Sequence, residues 1–147
     1  MEHLVPYSPQ HNGVVERKNI SLKEMATCLL HAKNLPRSLW EESVNYASYL
    51  QNRVPHKSVV GATPFKVLYE NKPNVSHLRV FGSKYWARIP IAKRKDFQSQ
   101  SSKCILLGYA KDAKAYKLME VATRKCFIER SFQFEEDWLC HPPSSKA

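Results

Sequence analysis

The chain has 147 residues, 43% of them hydrophobic, with 23 lysines and arginines against 13 acids and a formal net charge of +10. That length suits one domain or two small ones with a buried core, and the cation excess points to a polyanionic partner, most often nucleic acid. No apolar run approaches the about 18 residues of a membrane span, and no charged-then-apolar leader opens the chain, so a soluble protein with no membrane partner is expected. Cys28, Cys104, Cys126 and Cys140 lack C-x-x-C spacing, which argues against a zinc knuckle or disulfide framework and for buried free thiols in a reducing compartment.

The first third reads as helix. Pro6 and Pro9 favour an extended entry, because proline disfavours the helical region for its predecessor, and Asn12-Gly13 reads as the end of that loop and the helix cap. From Val14 the apolar residues Val15, Leu22, Ala26 and Leu29, flanked by Met25 and Leu30, recur at helical spacing until Asn34 and Pro36 stop the run. A second helix is predicted over residues 38–53, with Trp40, Val44, Ala47 and Leu50 as its stripe. A third, short one begins at Thr63-Pro64, a threonine cap before proline at the first helical position. The two longer helices offer apolar faces and no sheet to cover, so their partner is expected elsewhere.

Past Pro73 the period shortens. Residues 78–81, 84–89, 103–109, 115–119 and 126–134 are rich in aromatic and β-branched side chains, and five short strands so close together suggest a small antiparallel barrel. The Pro/Ser-rich end of the chain is expected to be disordered.

The charge is uneven. Residues 79–103 hold seven cations (Arg79, Lys84, Arg88, Lys93, Arg94, Lys95 and Lys103) against Asp96 alone, which is +6 of the total +10. Lys93-Arg94-Lys95 falls in a loop between strands, beside Lys84 and Arg88. Each neutralised phosphate adds about 0.9 to the salt slope on duplex DNA, so a handful of such contacts gives weak, sequence-tolerant binding. The plain alternative is a solvated charge loop. Tyr85, Trp86, Tyr109 and Tyr116 invite base stacking or a methyl-lysine cage, but aromatics on barrel strands are more often core, and core is the expectation. The histidines show no ligand spacing, and His77 is expected to help the strand entry.

Residues 6–19, PYSPQHNGVVERKN, resemble the end of the catalytic core in copia-type retrotransposon integrases, and the likeness continues through HAKNLP, LW, YLQNR and TPF. The stretches HLRVFGSKYWARIP, SSKCILLGYA and AYKL are similar to the SH3-like domain that follows that core. The resemblance covers nearly the whole chain. It implies an α+β organisation: residues 1–56 as a helical C-terminal remnant of an RNase H-like core, 57–76 as a linker with a short helix, 77–138 as a small antiparallel SH3-like β-barrel, and 139–147 as a disordered tail.

What the resemblance implies chemically centres on Glu16. Such integrases hold two divalent ions, Mg²⁺ or Mn²⁺, with two aspartates and one glutamate, since these hard cations prefer oxygen ligands. By match to the motif Glu16 is the third carboxylate, and Asn19 and Lys23 lie where such integrases touch donor DNA. The bland alternative for Glu16 is an acid in a helix first turn, completing a capping box. Both family aspartates precede the glutamate, whereas the first aspartate here is Asp96. The chain by itself is therefore expected to hold no cofactor and to catalyse nothing. The implied partners are DNA, an integrase multimer or the rest of the polyprotein, and the implied location is the nucleus. Ile20 stands where relatives usually carry a basic residue, Gln51 where leucine is usual, and Ala115 where a turn glycine is expected, which strains the chain by about a kcal/mol if that turn needs positive φ. Two other readings remain open: a protein-interaction module using the exposed helical stripe, and a basic RNA-binding barrel.

Overall fold

The computed structural model describes residues 9–57, 59–89, 96, 99–110, 114–130 and 133–135, with the side chains of 9–12 and 133–135 outside that description. The chain divides into two compact units, Met1–His77 and Leu78–Ala147.

The first unit opens with helix α1, Pro9–Ala32. It begins earlier than the sequence predicts. Pro9 takes the first helical position, where its missing N–H is no loss and its fixed φ suits the helix, so Asn12 and Gly13 lie inside the helix rather than capping it. The far end stops where expected. Asn34 adopts φ 50, its N–H bonds to the His31 carbonyl at 3.1 Å, and the Leu35 N–H reaches the Leu30 carbonyl at 2.9 Å, the paired closure of a left-handed helix cap.

A 3₁₀ turn, Arg37–Leu39, leads into α2, Trp40–Gln51, whose first turn carries Glu41 and Glu42. The short connection makes α1 and α2 an antiparallel hairpin. Ala26 and Leu30 on α1, with Ser43, Tyr46 and Ala47 on α2, are buried. Small residues at 43 and 47 let the backbones approach, and the Ser43 hydroxyl is satisfied by donating to the Trp40 carbonyl at 2.8 Å. Trp40 is 62% exposed, so the buried stripe is rotated away from the predicted one. The two helices bury Ala26 and Leu30 against Ser43, Tyr46 and Ala47, whereas Val14, Val15, Ile20 and Trp40 stay exposed. The Gln51 amide donates to the Ser21 hydroxyl at 3.2 Å, which sets the end of α2 beside the middle of α1.

Helix α3, Pro64–Tyr69, starts as predicted: Thr63 Oγ1 accepts from the Lys66 N–H at 3.1 Å. It is tied to α2. The Phe65 N–H donates to the Asn52 carbonyl at 2.8 Å, and the Arg53 guanidinium lies between the Tyr49 and Phe65 rings. His77, expected at a strand entry, instead meets the Tyr49 hydroxyl through Nε2 at 2.6 Å. Residues 57–76 thus run between two attachments to α2, at Arg53 and at Tyr49.

The second unit is one antiparallel sheet. Its strands are β1 (Lys84–Arg88), β2 (Ser101–Tyr109), β3 (Tyr116–Glu120), β4 (Cys126–Glu129) and β5 (Gln133–Glu135), in the order β4-β3-β2-β1-β5. Two predicted strands are corrected. Residues 78–81 form a docked loop: the Arg79 N–H donates to the Tyr109 hydroxyl at 2.9 Å and the Gly82 N–H to the Leu106 carbonyl at 2.8 Å. The predicted run 126–134 is two strands on opposite edges, because after pairing with β3 the chain returns to β1, setting Tyr85 opposite Phe134. Tyr85, Ala87, Cys104, Leu106 and Leu118 form the core, with Tyr116 and Phe127 packed against it.

Among the described residues the non-glycine positions with positive φ are Asn34, Glu70 and Arg124, so Ala115 is not strained. Cys104 is buried, but Cys28 and Cys126 are exposed free thiols, which corrects the expectation of burial for those two. Among the described residues no helix is long and apolar enough to cross a membrane. Lys93, Arg94, Lys95, Cys140 and the tail 139–147 lie outside the described residues.

Candidate nucleic-acid interface

Two sets of predicted residues occupy the two units. In the first, Glu16, Asn19 and Lys23 are all exposed on α1. Seven residues of helix advance about 10 Å and return to nearly the same azimuth, so Glu16 and Lys23 share one side, with Asn19 between them. The helix starts at Pro9 and has no acid in its first turn, which places Glu16 about two turns in. A capping box needs its acid at the third helical position, and the macrodipole fades within the first turn. Capping is therefore not what Glu16 does. Nor does it fit a metal as it stands: among the described residues no three His, Cys, Asp or Glu side chains converge on a possible ion. One exposed carboxylate supplies too few oxygens for Mg²⁺ or Mn²⁺.

The second set lies on the sheet. Strand β1 alternates without a break, Lys84, Trp86 and Arg88 exposed and Tyr85 and Ala87 buried. The inward face is sealed by burial. The Tyr85 hydroxyl is pushed up to about 12, first by that burial and then by Glu129 and Cys104, and burial likewise raises the Cys104 thiol. Neither is ionised near neutral pH, as core groups should not be.

The outward face is different. Register places Lys103 directly opposite Trp86 and Ser101 opposite Arg88. Lys103 is exposed, so Lys84, Arg88 and Lys103 surround an indole that is itself 42% exposed. Trp86 departs from the core assignment, whereas Tyr85 follows it and Tyr109 and Tyr116 are half-buried with ring centres 5.5 Å apart. The residue types of Lys84 to Ile89 alternate only in part, and the signal that Trp86 shares the cationic face was the strand period of two that sets it between Lys84 and Arg88. Lys103 required the register, which only the folded sheet supplies.

Residues 83–146 match the family described as Retroviral polymerase SH3-like domain. Over 135 residues, 92% of this chain and 10% of the relative, the sequence is 36% identical to the Retrovirus-related Pol polyprotein from transposon TNT 1-94 of Nicotiana tabacum. It is 31% identical over 140 residues, 95% of this chain, to the Retrovirus-related Pol polyproteins from transposons RE2 and RE1 of Arabidopsis thaliana, of which it covers 10% and 9%. The chain thus spans about a tenth of the length of these curated relatives. No solved structure matches it. Over the stretch it spans, the chain is thus a homologue of the Pol polyproteins of copia-type retrotransposons, and its residues 83–146 match the SH3-like domain family.

Proposed function

We propose that this chain is part of a retrotransposon integrase and binds DNA through the outward face of its SH3-like sheet and the basic run Lys93-Arg94-Lys95. The observation that carries the reading is the exposure of Lys84, Arg88 and Lys103 together on one face of β1 and β2. Lys93-Arg94-Lys95 follows β1 in sequence and extends the same positive stretch. Phosphate contacts of this kind position nucleic acid without reading sequence. The sheet is read as an SH3-like barrel, a reading supported by β5 returning to pair with β1. Helices α1 and α2 are read as the C-terminal helices of an RNase H-like core, with Asn19 and Lys23 on its DNA-facing side. The intact integrase acts in a multimer with the rest of its polyprotein, and in the nucleus.

The test is duplex-DNA binding by fluorescence anisotropy across a salt series, with the full chain and a variant carrying Lys93→Ala, Arg94→Ala and Lys95→Ala. The salt slope is expected to fall by about two to three units in the variant. An unchanged slope moves the contact away from Lys93-Arg94-Lys95, and no binding at low salt removes the DNA reading. With Glu16 as its one carboxylate of the set, the chain is expected to give no Mg²⁺-dependent strand transfer. A joined product overturns that.

A further inference from the structure

We propose that the outward face of β1 and β2 is a stacking platform for an unpaired nucleotide strand, on which a base lies against Trp86 while its phosphates meet Arg88, Lys103 and Lys84. The proposal rests on reading this sheet as a nucleic-acid surface, and adds which form of nucleic acid the face accepts.

Geometry supports it in three ways. First, β1 places Tyr85 and Ala87 in the core with 1% and 6% exposure, yet turns its largest side chain outward at 42%. An indole half open to water is a large apolar surface with an aromatic face that any base can cover. Second, the cations surround it. Along a strand same-face neighbours lie about 7 Å apart, which puts Lys84 and Arg88 on either side of Trp86. Lys103 stands directly opposite, its Cβ about 5 Å away across the ladder. A base on the indole therefore has a cation within reach on three sides. Third, the apolar surface continues past Lys103: the Val121 N–H donates to the Lys103 carbonyl at 3.0 Å, and Val121 is 46% exposed.

Stacking is also what selects the strand. In a duplex the base faces are stacked on one another and only edges and phosphates reach a protein surface. Cations suffice for that contact, and an indole adds little. An unpaired strand exposes its base faces, and a sugar-phosphate chain running over the sheet can present a base to Trp86 whatever its sequence. DNA and RNA share this chemistry.

The test uses the full chain with labelled oligothymidylate, oligouridylate and a DNA duplex at one salt concentration. Trp86→Ala is expected to weaken binding of the single strands about five- to a hundredfold and to change duplex binding less than twofold. Trp86→Phe, which keeps a stacking face, is expected to retain most of the single-strand affinity. In a Trp40→Phe, Trp138→Phe background, the remaining indole emission is expected to be quenched by the single strands. Equal losses for thymidylate and uridylate identify a platform blind to the sugar, and a loss for one of them names the strand it takes. Unchanged single-strand binding in Trp86→Ala overturns the platform, as does an equal loss for duplex and single strand. Failure of the two readings is separable. Trp86-dependent single-strand binding without duplex binding retains the platform and removes the duplex reading. Duplex binding with Trp86-independent single-strand binding does the reverse.

Discussion

The guanidinium carbon of Arg53 sits over the Tyr49 ring, 3.4 Å from its centre, well within cation–π range. Phe65 of α3 approaches the same guanidinium at 4.9 Å, and Arg53 Nη1 donates to the Tyr49 carbonyl at 3.1 Å. One side chain thus joins α3 to the end of α2.

Replacing Arg53 by lysine keeps the charge and loses the planar face. Lysine is a compact, strongly hydrated cation and does not stack between two rings as guanidinium does. The expected cost is about 1 kcal/mol at this attachment. Hydrogen exchange is the suitable readout, because a chain of two units need not unfold in one step. Amides of Phe65 to Tyr69 should exchange about fivefold faster in Arg53→Lys, with those of the sheet unaffected. Unchanged α3 protection would show that the Phe65 to Asn52 hydrogen bond suffices.

Gly82 adopts φ 72 and donates its N–H to the Leu106 carbonyl at 2.8 Å, fixing the loop before β1 onto β2. An alanine there must hold the left-handed region that its Cβ disfavours, at a cost of about 1–2 kcal/mol. Gly82→Ala is expected to lower the urea midpoint of the sheet while leaving α1 and α2 amide protection intact. Wild-type protection at Leu106 in that variant would refute the constraint.

The opposite change is expected at Arg124. It turns the β3–β4 connection at φ 56, with its N–H on the Glu120 carbonyl at 2.8 Å. A side chain in that conformation stores strain that glycine lacks, although glycine also gains freedom in the unfolded chain. Arg124→Gly is therefore expected to raise the stability of the sheet by about 0.5 kcal/mol. A lower thermal midpoint would mean that Arg124 makes a stabilising contact larger than its backbone strain.

These positions show what the sequence could and could not express. Thr63-Pro64 and Asn34 announced a helix start and stop because caps depend on one or two residues. The stripe of α2 was misread because hydrophobicity favoured Trp40, whereas close packing against α1 selected the small Ser43 and Ala47. Residues 126–134 carry no proline or glycine, so nothing local marked the crossing from β4 to β5. The cationic face was half legible: alternation groups Lys84 with Arg88, but Lys103 joins them only through cross-strand register. Glu16 was legible as a motif residue and not as an internal one, since the helix start at Pro9 depends on a proline that reads equally well as a loop.

Tyr85 supplies a pH dependence with a definite sign. Its hydroxyl, 1% exposed, is pushed up to about 12 from the usual 10.0, by burial first and by Glu129 second. Above pH 10 the unfolded chain gives up this proton while the folded chain retains it. The folded state therefore binds more protons in that window, and stability falls with rising pH. The Tyr85 contribution is present in full below about pH 10 and is lost between about pH 10 and pH 12, to a total on the order of 2–3 kcal/mol. Lysines and the other tyrosines titrate in the same range, so the comparison must be with Tyr85→Phe, which keeps the ring and removes the proton. Between about pH 9 and pH 11 the parent is expected to lose about 1.4 kcal/mol more than the variant in urea unfolding of the sheet. Parallel pH profiles would mean that the Tyr85 hydroxyl ionises in the folded protein as readily as in the unfolded chain, and that β1 opens to water where its alternation says it is sealed.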